Sequence, residues 1–183
     1  LDVEDVAASN YGTHIHVYDW QNGNVIQKID SAMEGVMPTD SRVLHDPRSA
    51  QGFVGSALYA NVFRFYKTGK GDWAAHKVID IPAKKVEGWA LPDMPAVLTD
   101  ILMSMDDKYL YLSCWLHGDL RQYDVSDPMN PKLTGQLFLG GCITKEFGVK
   151  VTEDKELKVV LIISSKSFRD FFSLLVLGND NSI

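Results

Sequence analysis

The stretch ILMSMDDKYLYLSCWLHGDLRQYDVSDPMNPKLTGQLFL, residues 101–139, decides the fold class, because short β-type runs alternate in it with turn signals. The runs are rich in Leu, Tyr and other residues that strands favour, whereas the segments between them carry Gly, Asp, Asn or Pro. This alternation is typical of β-hairpins. We predict four strands joined by short turns, at residues 101–105, 109–114, 120–125 and 133–139.

The same plan occurs earlier in the chain, where four strands are predicted at residues 41–45, 52–57, 62–66 and 73–81. The third strands align through a polar residue two positions before a tyrosine. These tyrosines, Tyr18, Tyr66 and Tyr123, are 48 and 57 residues apart. A period of about 50 residues with four strands each predicts β-propeller blades. An unrelated β-sandwich or barrel is the alternative, since meanders look alike in a single sequence.

Composition limits the function classes. The 183 residues include 18 basic and 24 acidic side chains, for a formal net charge of −6, which argues against nucleic-acid binding. Two cysteines, Cys114 and Cys142, cannot form a disulfide framework, so we expect a reducing compartment, the cytoplasm and also the nucleus. No transmembrane segment is predicted, because charged residues interrupt the most apolar stretch, 159–177.

Several long motifs carry a family resemblance. The segments WLHGDLRQYDVSDPMNPKLTGQLFLGG (residues 115–141), YGTHIHVYDW (11–20), LHDPRSAQGFVGSAL (44–58) and KKVEGWALPDMP (84–95) resemble the selenium-binding protein family, whose members include methanethiol oxidases. The resemblance runs from about residue 6 to residue 158. It implies an all-β fold, with residues 1–158 forming two to three four-stranded blades of a larger, seven-bladed propeller.

Residues 159–183 do not resemble the family and form a divergent apolar tail. An alternative exon, a retained intron or a gene-model error would explain this tail. A divergent strand pair that completes a blade is the other interpretation. Family members are longer at both ends, so we expect this chain to be an internal fragment that lacks the complete active site.

Three histidines are candidate metal ligands. His117 lies in the turn between the second and third strands of its blade, and His14 lies in the corresponding connection of an earlier blade, on the same predicted rim. Imidazole suits copper, the metal that the resemblance implies. His45 matches a family motif but is predicted at the opposite rim. The alternative for each histidine is a hydrogen bond within its own turn.

Two aspartates and the cysteines complete the set of candidates. Asp40 and Asp100 are each predicted at the start of an innermost strand, next to the channel. A carboxylate there would orient a ligating histidine. The alternative is a hydrogen bond to neighbouring backbone. Cys142 follows two glycines in a loop, where a thiolate would bind selenium or sulfur species if its pKa were lowered. Cys114 is expected to be a buried packing residue. The family's selenium-binding cysteine is assigned to neither, and no catalytic residue is assigned.

The resemblance implies that full-length relatives are copper-dependent oxidases, which convert methanethiol, O₂ and water to formaldehyde, hydrogen peroxide and hydrogen sulfide. The expected ligand is a small thiol or selenium compound. A non-catalytic scaffold for selenium species or protein partners is the alternative, because propeller rims support binding as readily as catalysis. A truncated product without a stable fold is a third hypothesis.

Overall fold

The computed structural model describes residues 10–153, which form β-strands and one short 3-10 helix, Met33–Gly35. The strands are His14–Tyr18 (β1), Val25–Asp30 (β2), Pro38–Val43 (β3), Gln51–Ser56 (β4), Asn61–Lys67 (β5), Trp73–Asp80 (β6), Lys84–Glu87 (β7), Asp93–Met94 (β8), Leu98–Met103 (β9), Tyr109–Cys114 (β10), Asp119–Asp124 (β11), Lys132–Phe138 (β12) and Lys150–Glu153 (β13). None of the helices within this range is long and apolar enough to cross a membrane.

Two four-stranded antiparallel sheets dominate the structure, one with the order β3-β4-β5-β6 and the other with β9-β10-β11-β12. Strands that are consecutive in sequence are neighbours in each sheet, as in a propeller blade. A β1-β2 hairpin precedes them, and β7 pairs with both β8 and β13 in a smaller sheet. The predicted all-β class is confirmed, and each predicted strand overlaps an observed one. The predicted boundary at residue 158 and the apolar tail lie outside the described residues.

The core lies between the two blades. Along β10 the side chains of Leu110, Leu112 and Cys114 alternate inward and are at most 1% exposed. They pack in one cluster with Phe53 and Val62 of the first blade. Period-two alternation puts every second residue of a strand on the same face. The apolar residues of neighbouring sheets therefore meet in a continuous core, which holds the blades together.

The register corrects the alignment of the repeats. A four-residue turn follows Ser56, which pairs with Asn61, and an equivalent turn follows Cys114, which pairs with Asp119. Asn61 and Asp119 are therefore equivalent. Counting along the strands makes Tyr123 equivalent to the residue before Tyr66, so the tyrosine alignment was wrong by one position. A slip of one residue moves every side chain to the other face of a strand.

The corrected register also changes the interpretation of Arg121. The tyrosine alignment matched it with Arg64, the polar residue two positions before Tyr66, but Arg121 is equivalent to Phe63 and only 2% exposed. A charged side chain therefore occupies a core position in the second blade.

Candidate functional site

The turn between β10 and β11 carries His117 into the interior, where it is 1% exposed. Its Nε2 lies 2.9 Å from the carbonyl oxygen of Met94. A carbonyl only accepts, so Nε2 carries the proton and Nδ1 keeps a lone pair. Within residues 10–153, Nδ1 is buried and has no hydrogen-bond partner. Burial lowers the pKa of His117, against an opposing effect of the Met94 hydrogen bond, so the ring is neutral at pH 7.

Three charged side chains are buried near this ring. Lys84, Asp119 and Arg121 are 5%, 2% and 2% exposed, and together with His117 we call them the rim cluster. Arg121 Nε donates to Asp119 Oδ2 at 2.9 Å, and Gln136 Nε2 donates to the same oxygen at 2.6 Å. Buried ionic groups are tolerated when paired and costly when not. The cluster is therefore a concentrated polar site inside an apolar blade.

Residues 139–148, the rim loop, cover the turn that carries His117. The amide of Leu139 donates to the Gly118 carbonyl at 2.7 Å, and that of Cys142 donates to the Leu116 carbonyl at 3.1 Å. A side chain at Gly118 would collide with the carbonyl group of Gly140, so backbone lies directly on backbone here. The loop therefore lies against the turn that carries His117, while the ring itself contacts the Met94 carbonyl.

The two cysteines have different environments. Cys114 is 1% exposed in the core, as predicted for a packing residue. Burial, followed by the charge of Asp119, raises its pKa to about 12, so it is a thiol at neutral pH and a poor nucleophile. Cys142 is half-buried in the rim loop, next to the apolar residues around Met94. Both cysteines are free.

The other two candidate histidines have different partners from His117. His14 opens β1, is exposed, and has Nδ1 3.2 Å from the Thr13 hydroxyl. His45 Nδ1 lies 2.6 Å from Asp107 Oδ1, which ties the first blade to the β9–β10 turn of the second. In the described part of the chain, no three His, Cys, Asp or Glu side chains are close enough to hold a metal ion. Copper ligation by His117, His14 and His45 stays a prediction, since these residues provide no complete ligand set.

Asp40 and Asp100 occupy equivalent positions on the innermost strands of the two blades, opposite Gly55 and Ser113. The guanidinium of Arg42 contacts Asp40 and lies 3.4 Å from Asp100, so these three residues form an inner clasp between the blades. Asp40 also accepts from the backbone amide of Ile101 at 3.3 Å. The expected bond to neighbouring backbone is therefore present. A role at a channel stays a prediction.

The two carboxyl groups of the inner clasp have opposite pKa shifts. Partial burial and then the neighbouring Asp40 raise the pKa of Asp100. Burial also acts to raise the pKa of Asp40, but hydrogen bonds from Asp100, the Ile101 amide and Arg42 outweigh it and lower that pKa. As pH falls, Asp100 therefore takes up a proton before Asp40 does.

Sequence reasoning missed the buried charges of the rim cluster. A usable signal was the two-residue spacing of Asp119 and Arg121, which places both on the face of β11 that Tyr123 shares. Lys84 gave no such signal, because it comes from β7, in another sheet.

Comparison with known proteins gives consistent results. The model of the family described as 56 kDa selenium binding protein matches residues 1–164. Methanethiol oxidase of Danio rerio is 61% identical over 153 residues, which are 84% of this chain and 34% of that protein. The Homo sapiens protein of the same name is 56% identical over 154 residues, with 84% and 32% covered.

A solved structure agrees with the family match. The crystal structure of a hypothetical selenium-binding protein from Sulfolobus tokodaii superposes with a TM-score of 0.67 and 36% identity. The match covers 72% of this chain and 31% of that one. The chain thus spans about a third of the length of the curated relatives that it matches.

Proposed function

This chain belongs to the 56 kDa selenium binding protein family, and from that premise we propose that the protein containing it oxidises methanethiol. The observation that carries the proposal is 61% identity to a protein named methanethiol oxidase over 84% of the chain. All four residues of the rim cluster lie within the 164 residues that match the family model. The proposed ligand is a small thiol.

The proposed reaction is balanced. One methanethiol, one O₂ and one water give one formaldehyde, one hydrogen peroxide and one hydrogen sulfide. The carbon–sulfur bond breaks, the carbon loses two electrons, and water supplies the oxygen of formaldehyde. The two electrons reduce O₂ to peroxide. Copper, the proposed metal, would supply the redox chemistry when bound.

His117 is the described side chain that best fits a copper centre. Burial keeps the ring neutral, and neutral imidazole is the form that ligates metals. The Met94 carbonyl fixes the ring orientation and holds the proton on Nε2, which leaves Nδ1 to act as the donor. The remaining ligands of a complete site are not found among residues 10–153.

The test uses the complete natural protein, produced with copper supplied. We expect O₂ consumption on addition of methanethiol, with equal amounts of formaldehyde and hydrogen peroxide. His117→Gln should lower the rate by about 100-fold or more, because a metal ligand or base is lost. His76→Gln is the matched control, since His76 lies on β6, where it contacts the Tyr66 hydroxyl. A copper-loaded protein that leaves methanethiol unchanged refutes the oxidase proposal.

A second candidate is non-catalytic binding of a selenium species or a protein partner. The lack of a three-ligand group among residues 10–153 favours it for this part of the chain. Metal content separates the two functions. About one copper per chain together with turnover supports the oxidase, whereas bound selenium without copper or turnover supports the scaffold.

A further inference from the structure

We propose that the rim loop, residues 139–148, is a gate that must open before solvent or a small ligand reaches His117. The proposal rests on the proposed function in taking His117 as the group to be reached. It adds that access to this residue is controlled by a local conformational change, and its test requires no turnover.

The rim loop contacts the residues on either side of His117 in the sequence. Three loop amides donate to carbonyls of the two residues that flank it. Leu139 and Gly140 bind the Gly118 carbonyl at 2.7 and 3.2 Å, and Cys142 binds the Leu116 carbonyl at 3.1 Å. Closure therefore places the loop backbone directly over the turn. His117, which lies between Leu116 and Gly118, is 1% exposed.

The loop is held more weakly than the blade beneath it. It contains turns but no strand, and its apolar contacts come from half-buried Cys142 and Ile143 against Val86, Met94 and Val149. The turn below it belongs to the β10–β11 hairpin, which is paired along its whole length. Segments with few buried contacts open locally at lower free energy than paired strands. The loop can thus open while the blade remains folded.

A pivot lies at the start of the loop. Gly141 has φ +77°, a conformation that favours glycine, and its Cα faces the backbone of Gly118 without room for a side chain. Hinges are commonly a few residues that absorb a large change in φ and ψ. Gly141 is placed to do so directly beside the turn.

The first blade provides the contrast. Its equivalent turn carries Tyr59 at the position of His117, and Tyr59 is 49% exposed. The chain leaves β6 at Asp80 and enters β7 at Lys84, with no loop to cover that turn. Only three residues separate those strands, whereas eleven separate β12 from β13. The Ile81 amide still donates to the Ala60 carbonyl at 3.3 Å, as the Leu139 amide does to Gly118, so the bonds specific to the His117 turn are those from Gly140 and Cys142.

The two cysteines allow a direct test in the 183-residue chain. Cys142 lies half-buried in the loop, so an increase in its alkylation rate reports loop opening, whereas Cys114 lies in the core and reports global unfolding. We would measure alkylation of each cysteine by iodoacetamide and modification of His117 by diethyl pyrocarbonate, residue by residue, by mass spectrometry. In the unmodified sequence, Cys142 should react about 100-fold faster than Cys114.

Gly141→Ala should hold the loop off the turn. We expect about a 10-fold increase in the reactivity of both Cys142 and His117, with Cys114 unchanged. Gly69→Ala is the matched control, because Gly69 lies in the β5–β6 turn with open space around it, and it should change none of these rates.

Two results would overturn the proposal. One is an increase in Cys142 alkylation, which shows that the loop opens, without any increase in the reactivity of His117. The other is a single common rate for both cysteines, which would mean that only global unfolding exposes the site. If Gly141→Ala does not fold, hydrogen exchange of the backbone amides in the unsubstituted chain tests the same proposal. The amides of Gly140 and Cys142 must then exchange faster than that of Leu112. An inactive protein with the expected labelling would refute the oxidase function and leave the gate standing.

Discussion

The two complete blades have the same turn at the same place, yet only one of the turns carries a polar site. In the first blade the turn is Ala57-Leu58-Tyr59-Ala60 and in the second it is Trp115-Leu116-His117-Gly118. Each ends in a left-handed residue, with φ 53° at Ala60 and 70° at Gly118. The backbone is shared, and the chemistry differs only in the side chains.

The difference continues into the third strand. Asn61 and Phe63 of the first blade are replaced by Asp119 and Arg121 in the second, and all four residues are buried. Asn61 Nδ2 donates to the backbone of Glu34 at 2.9 Å, whereas Asp119 pairs with Arg121. The comparison teaches that one blade scaffold accepts either an apolar residue or half of an ion pair at the same core position.

The largest effect on stability is expected when Arg121 of the second blade is replaced by phenylalanine, the residue at the equivalent position of the first blade. Arg121→Phe leaves Asp119 buried without its ion-pair partner, so we expect a loss of about 3–5 kcal/mol in the free energy of unfolding. Urea denaturation measures it. Adding Asp119→Asn should restore most of this loss, because the pair Asn and Phe already exists in the first blade. A loss below about 1 kcal/mol for Arg121→Phe alone contradicts the interpretation.

A smaller effect is expected from exchanging the residues that end the two turns. Gly118→Ala adds a methyl group where the Gly140 carbonyl group lies and requires a left-handed alanine, so we expect a loss of about 2–4 kcal/mol. Ala60→Gly relieves the left-handed strain but removes a buried methyl group, and should change stability by about 1 kcal/mol or less. Thermal or urea unfolding measures both. Equal effects would contradict the close approach of the Gly140 carbonyl group to Gly118.

The next largest effect is the pH dependence of stability, which should come from the second turn, because that turn carries His117. The pKa of His117 is lowered by burial, so the unfolded chain binds more protons than the folded chain as pH falls below about 6.5. The free energy of unfolding should therefore decrease between pH 8 and pH 5. His117→Gln, which retains a donor toward the Met94 carbonyl, should reduce that decrease. The Tyr59→Phe variant of the first blade should keep the full decrease, and identical pH slopes for all three proteins would refute the assignment.

The smallest effect concerns the inner clasp, where equivalent aspartates have opposite pKa shifts. The raised pKa of Asp100 means that its contribution to stability is present at low pH and lost as pH rises. Asp100→Asn mimics the protonated form, so at pH 7 we expect unchanged stability or a gain of at most about 1 kcal/mol, since both carboxyls are partly exposed. Asp40→Asn should instead lower stability at pH 7. A gain from both variants at pH 7 would contradict the opposite pKa shifts of the two carboxyl groups.

Much of the fold could be predicted because local pattern and tertiary structure agree in the blades. Strand β10 was predicted with its observed bounds, since buried Leu110, Leu112 and Cys114 alternate with more exposed residues. The first strands were predicted about three residues too late. Pro38 and Asp40 are poor strand residues, and Asp40 is held in β3 by contacts with the neighbouring blade. No local pattern contains that information.

The site was less predictable for the same reason. The sequence located His117 in a turn, but turns are usually exposed, and its ring is buried against the Met94 carbonyl, 23 residues away. The burial of Arg121 was not predicted, because the tyrosine pattern aligned the repeats with an error of one residue. Long-range contacts therefore decide which polar residues are functional candidates.

The left-handed corner shared by Ala60 and Gly118 has a consequence for how such a molecule diversifies. A corner that fixes the backbone through one residue leaves the other three side chains of the turn open to exchange. Copies of a blade within one gene can then drift apart at those three positions without a change of architecture. A blade can therefore acquire a new polar site when its left-handed residue is kept and the neighbouring turn residues are substituted. Each blade of this type provides one such position.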